Sequence, residues 1–120
     1  MFVFLIDSNP LISVWLEAQA RARGENFYSL KEIAASAYMI HDLAPQVLVI
    51  DGKTAQTGGS EFLATLADYP EVRKIPVIGF GEALPEWCGA LNIKGHIPKP
   101  VNPELFHQQV LALLGEASVY

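Results

Sequence analysis

The sequence has a single cysteine, Cys88, so no internal disulfide can form and no zinc-binding spacing exists. Basic residues are few: eight Lys and Arg stand against thirteen Asp and Glu, for a formal net charge of −5. They are also scattered. Nucleic acid is therefore not an expected partner, because its binding needs clustered cations. No apolar run reaches the ~18 residues of a membrane span. Residues 1–6 form a short apolar run that Asp7 ends. It has no basic flank and is too short for the core of a secretory signal. Charged residues make up only 18% of the chain and hydrophobic ones 51%, which excludes disorder and a charged coiled coil. A single domain over residues 1–120 remains, long enough to bury a core and expected in the cytoplasm without membrane contact.

The apolar run of residues 2–6 suits a strand covered on both faces. Asn9 and Pro10 then predict a helix start, with the asparagine as N-cap and the proline in the first turn. Leu11, Trp15, Ala18 and Ala22 recur at helical spacing beside Ile12 and Leu16, and Trp15 reads as core; Gly24 stops the helix. Residues 27–28 suggest a second strand. Ser29 and Glu32 have the spacing of a capping box ahead of a second helix, which Pro45 ends. Residues 47–50 make the clearest buried strand, closing on Asp51. Ser60 is the expected cap of a third helix. Residues 75–80 and 95–97 read as further strands, with a weak fourth helical segment between them that Pro85 and Gly89 keep short or irregular. Asn102, Pro103 and Glu104 repeat the cap-proline-acid opening before a last helix that Gly115 closes. The tail, 116–120, has no domain character.

Strand and helix thus alternate five times. The expected result is a parallel α/β sheet with right-handed crossovers and helices on both faces. Sites in such open sheets form at the carboxyl ends of the strands. Asp7 ends the first strand, Asp51 the third and Gly81 the fourth, while Lys99 follows the fifth. All four fall on one rim.

With these pieces in order, the sequence resembles the CheY-like receiver domain of two-component response regulators over almost its whole length. The matching pieces are Phe-Leu-Ile-Asp-Ser-Asn-Pro at 4–10, Val-Leu-Val-Ile-Asp at 47–51, Gly59 eight residues later, Ile-Pro-Val-Ile at 75–78 and Lys99-Pro100. The resemblance implies a flavodoxin-like, doubly wound five-stranded sheet of order 2-1-3-4-5. It also implies a signalling module, not an enzyme, that takes a phosphoryl group from a histidine kinase or phosphotransfer protein. Asp51 matches the phosphoryl acceptor and Lys99 the lysine that contacts the phosphate. Asp7, Asp51 and the backbone carbonyl of Lys53 match the ligands of a magnesium ion, which relieves repulsion between the attacking carboxylate and the phosphoryl group.

The departures from that pattern matter equally. Ser8 stands where a second acid is usual, so the magnesium site is weakened, and the Lys53 cation competes with the metal. Gly81 occupies the place of the switch hydroxyl, and His96 that of the aromatic switch. The fourth helical segment, part of the usual output surface with the fifth helix, is about one turn short. A second reading follows: a phosphorylation-independent pseudo-receiver that binds a protein partner through that altered face.

Other residues carry blander expectations. His96 reads as a partly buried replacement, and His41 and His107 as surface residues. Trp87 is either a partner anchor or packing over the short fourth segment. Gly52-Lys53-Thr54 resembles the end of a P-loop, but the glycine required five residues earlier is Val47. No serine–histidine–acid or cysteine–histidine set is supported.

Overall fold

The computed structural model describes residues 1–115, so the expectation for the tail lies outside the described residues. The strands are β1 (Val3–Ile6), β2 (Phe27–Leu30), β3 (Val47–Asp51), β4 (Pro76–Phe80) and β5 (Asn92–Ile97). The helices are α1 (Pro10–Ala22), α2 (Ser36–Leu43), α3 (Gly59–Leu66) and α4 (Pro103–Leu113). The five strands form one parallel sheet in the order β2-β1-β3-β4-β5, the expected doubly wound, flavodoxin-like topology.

The continuous apolar runs have the burial expected of strands covered on both sides. Successive side chains of a strand point to opposite faces. Val3, Leu5, Val47 and Val49 therefore join a core with Leu16 of α1 and Phe106 and Val110 of α4. Phe4, Ile6, Leu48 and Ile50 join the other core, with Ile40 of α2 and Phe62 and Leu66 of α3. Each such buried side chain contributes about 1.5–3 kcal/mol relative to exposure. The two cores clamp the sheet and fix its upper rim.

The cap signals at both proline-led helices hold. Asn9 accepts a hydrogen bond from the Leu11 N–H, and Asn102 accepts one from the Glu104 N–H. Other local expectations need correction. Leu16 and Ala20 form the buried face of α1, with Ile12 half-buried, whereas Trp15 is 52% exposed beside exposed Leu11 and Val14. Both stripes of α1 are apolar, and the sheet covers the one that carries Leu16 and Ala20. Ser29 lies inside β2 and does not cap α2, which starts only at Ser36. The cap of α3 is Gly58, at φ +91°, a left-handed conformation suited to glycine; Ser60 is already in the helix.

The fourth helical segment is reduced to one 3-10 turn, Glu86–Ala90. Trp87 is its anchor, and it packs inward. Its indole N–H donates to the Ala55 carbonyl at 2.9 Å, and its ring lies 5.6 Å from that of Phe62. A Cβ at position 59 would stand 2.5 Å from the indole nitrogen, so Gly59 is required beneath the ring. His41 is exposed as expected, stacked on Tyr69 and paired with Glu71. His107 is instead largely covered, with its side chain 22% exposed and Nδ1 3.1 Å from Glu25. Among the described residues no helix is long and apolar enough to cross a membrane.

Candidate functional site

Register delivers the site. Ile6 pairs with Ile50, Asp51 with Phe80, and Phe80 with Ile97. The residues that follow β1, β4 and β5 therefore emerge around Asp51, the last residue of β3. Backbone bonds extend the ladder past the strand ends: the Gly52 N–H donates to the Phe80 carbonyl and the Gly81 N–H to that of Ile97, both at 3.0 Å.

Lys99 joins the acids. Its Nζ lies 2.8 Å from Asp7 Oδ2 and 3.1 Å from Asp51 Oδ1. It also stands 4.8 Å from the centroid of the Phe80 ring, which steadies the ammonium. Both carboxylates are buried, Asp7 at 2% and Asp51 at 4% exposure. Burial by itself lowers the Lys99 pKa, but the hydrogen bonds and charges of Asp7 and Asp51 outweigh it, and the ammonium is held above its ordinary range. The two buried acid side chains thus share one ammonium. Asp7 also does local work, because its Oδ1 accepts the Asn9 N–H at 2.9 Å.

Thr54 is the residue that sequence reasoning missed. A 3-10 turn, Thr54–Gln56, follows β3. It folds the Thr54 N–H back to Asp51 Oδ2 at 3.0 Å and the Thr54 hydroxyl to the same oxygen at 2.7 Å. A donor three residues after an acid is the geometry of a side-chain cap, and the Asp-x-x-Thr spacing was the available signal. Ser8 lies against Thr54. The Ser8 N–H donates to Thr54 Oγ1 at 3.0 Å, and the two hydroxyl oxygens are 3.2 Å apart.

The remaining expected residues divide. Gly81 is beside Asp51, at φ +72°; a Cβ there would stand 3.0 Å from Asp51 Oδ1 and 3.0 Å from Lys99 Cδ. His96 is exposed, not partly buried. Its Nε2 lies 2.7 Å from the Gly81 carbonyl oxygen, and since a carbonyl only accepts, Nε2 carries the proton. Lys53 is exposed on the rim. Asp7, Ser8, Asp51, Lys53, Gly81 and Lys99 border an open cleft of about 450 Å³.

The donors that this site offers a cation are the Asp7 and Asp51 carboxylates and the Lys53 carbonyl. Each is already partnered, the last by the Gln56 N–H at 3.2 Å. Among the described residues no group of three or more His, Cys, Asp or Glu is placed to hold a metal ion.

No protein-family model and no curated protein matches the sequence. Solved structures do match the fold. The chemotaxis response regulator CheY4 of Vibrio cholerae superposes with a TM-score of 0.73 at 17% identity, over 93% of this chain and 97% of that one. The receiver domain of the sensor histidine kinase PA1611 from Pseudomonas aeruginosa, which has a magnesium ion in its active-site cleft, gives 0.70 at 13% identity, over 95% and 97%. A CheY-like receiver domain from Methanospirillum hungatei gives 0.71 at 12% identity, over 99% and 98%. In architecture, this chain has the fold of a response-regulator receiver domain.

Proposed function

We propose that this domain is a two-component receiver that accepts a phosphoryl group on Asp51 from a phosphohistidine of a histidine kinase or phosphotransfer protein. The observation that carries the reading is the convergence of the Asp7 and Asp51 carboxylates on the Lys99 ammonium at the strand ends, facing an open cleft. In the transfer, Asp51 Oδ1 attacks phosphorus. The Oδ1–P bond forms, the P–N bond breaks, and its electron pair returns to the imidazole. Lys99 lies beside Oδ1, where it offsets charge on the phosphoryl oxygens. The domain is then an acceptor and conveyor in the cytoplasm, not a turnover enzyme.

The test is intact-mass measurement after incubation with a small acyl phosphate or a phosphorylated phosphotransfer protein, with magnesium and with chelator. Addition of one phosphoryl group, absent in Asp51→Asn, is the expected result. No addition from any donor under either condition overturns the reading.

Gly81 favours a second reading, the pseudo-receiver. Position 81 carries no hydroxyl, and its left-handed φ and the tight contacts at its Cβ position disfavour a side chain there. A hydrogen bond to a charged group contributes about 1.5–3 kcal/mol, the scale of a whole allosteric coupling. Without it, the domain acts as an interaction module that engages a downstream partner through the face of the Glu86–Ala90 turn and α4. Unchanged partner affinity in Asp51→Asn and Asp51→Glu is its signature.

A further inference from the structure

We propose that the Ser8–Thr54 hydroxyl pair takes the place of a divalent cation in this site, holding Asp51 and joining the loops after β1 and β3 without a metal ion. The proposal deepens the receiver reading and rests on it for its functional meaning.

An ionised carboxylate has about four acceptor positions and no donor. On Asp51, Oδ2 accepts both the N–H and the hydroxyl of Thr54, and Oδ1 accepts Lys99. One position remains free, on Oδ1. Asp7 divides its oxygens between the Asn9 N–H and Lys99. Magnesium requires near-ideal octahedral oxygen coordination at about 2.0–2.1 Å. On Asp51 it meets an Oδ2 that is already saturated and an Oδ1 shared with an ammonium. This donor set does not fit the ion as it stands.

Thr54 is itself held from behind. Its hydroxyl has one proton, which goes to Asp51, because the carboxylate only accepts. The Ser8 hydroxyl, 3.2 Å away, is then the donor of the second contact, and the Ser8 N–H donates a third. Thr54 Oγ1 thus gives one hydrogen bond and receives two, which exhausts its capacity. Turning it away from Asp51 breaks all three. The two residues span the same two loops that acids and a carbonyl would bridge through a metal. An acid at position 8 would lack the hydroxyl proton and would repel Asp51, so serine there and threonine at 54 form a matched pair.

The arrangement also assigns the reacting oxygen. With Oδ2 saturated, Oδ1 is the only oxygen of Asp51 with a free position for attack. Thr54 is in this sense a positioning residue.

The experiment is an amide NMR titration with magnesium chloride, at constant ionic strength, of the wild type, Thr54→Ser, Thr54→Ala, Ser8→Ala and the double variant Ser8→Asp/Thr54→Ala. Wild type and Thr54→Ser are expected to show no saturable shift at the backbone amides of positions 51 and 54 at millimolar magnesium. Thr54→Ala is expected to bind magnesium about tenfold to a hundredfold more tightly than the wild type, the equivalent of one hydrogen bond to a charged group. Ser8→Ala, at an exposed position, moves the same way by less, and the double variant binds best. Saturable wild-type binding below millimolar magnesium overturns the proposal. So does equal binding by wild type and Thr54→Ala. Wild-type phosphorylation that requires magnesium also overturns it. A domain that ignores magnesium and accepts no phosphoryl group overturns the receiver reading instead, and leaves the hydroxyl pair standing.

Discussion

Lys99→Met removes the one cation between two buried carboxylates. Both acid oxygens touch the same nitrogen, at 2.8 and 3.1 Å, so they lie no more than about 6 Å apart. At that separation and an effective dielectric near 20, two negative charges repel by about 3 kcal/mol. Breaking a buried ion pair by deleting one partner falls in the same range, about 3–5 kcal/mol. The Lys99 side chain is 26% exposed, so water screens part of this, and a loss of about 2–3 kcal/mol is expected at pH 7. Methionine keeps the apolar stem against Phe80, which confines the change to charge. The assay is urea unfolding at pH 7 of Lys99→Met, Asp7→Asn and the double variant. Asp7→Asn removes one of the repelling charges, so the double variant is expected to regain most of the loss. A single-variant cost below about 1 kcal/mol, or no recovery in the double variant, refutes the picture of one coupled triad.

Three further outcomes follow from the same geometry. Because the folded-state pKa of Lys99 is raised, its stabilisation is complete below the ordinary lysine value of 10.5 and is lost as pH rises through the higher folded value. The urea midpoint should fall in that alkaline window, and by less in Lys99→Met. Burial pushes the Cys88 thiol up to about 11, so at pH 8 a disulfide reagent should label it only at the rate of opening, and rapid labelling of folded protein would contradict its placement. Gly81→Thr, which restores a hydroxyl in name, should cost about 1–3 kcal/mol in thermal or urea unfolding, because φ is positive and the Cβ is crowded. Stability equal to the wild type would show that the loop adapts freely.

The sheet is legible because its signals are redundant. Residues 47–50 are apolar at every position, and β3 is buried throughout. Asn9-Pro10 and Asn102-Pro103 mark helix starts through a hydrogen-bond acceptor and a fixed φ, both local properties. Trp15 misleads because α1 has two apolar stripes, and only the packed partner decides between them. The Ser29–Glu32 spacing fails for a related reason: pairing with β1 carries β2 on to Leu30, and a neighbouring strand outweighs a cap.

At the site, Asp7, Asp51 and Lys99 are legible because each follows an obvious strand and the sheet order brings the ends together. Thr54 is not, since its role depends on a short 3-10 turn with no hydrophobic period. The inward direction of Trp87 is equally hidden. It depends on Gly59 and the Ala55 carbonyl, both distant in sequence.

That indole contact has a practical consequence. The chain has two tryptophans, one half-exposed on α1 and one hydrogen-bonded to the loop that follows Asp51. An aqueous quencher reaches Trp15 first, so the emission that survives belongs to Trp87. Lifting Ala55 frees the indole N–H and shifts that emission. Movement of the Asp51 loop can therefore be followed by light, in the unlabelled protein.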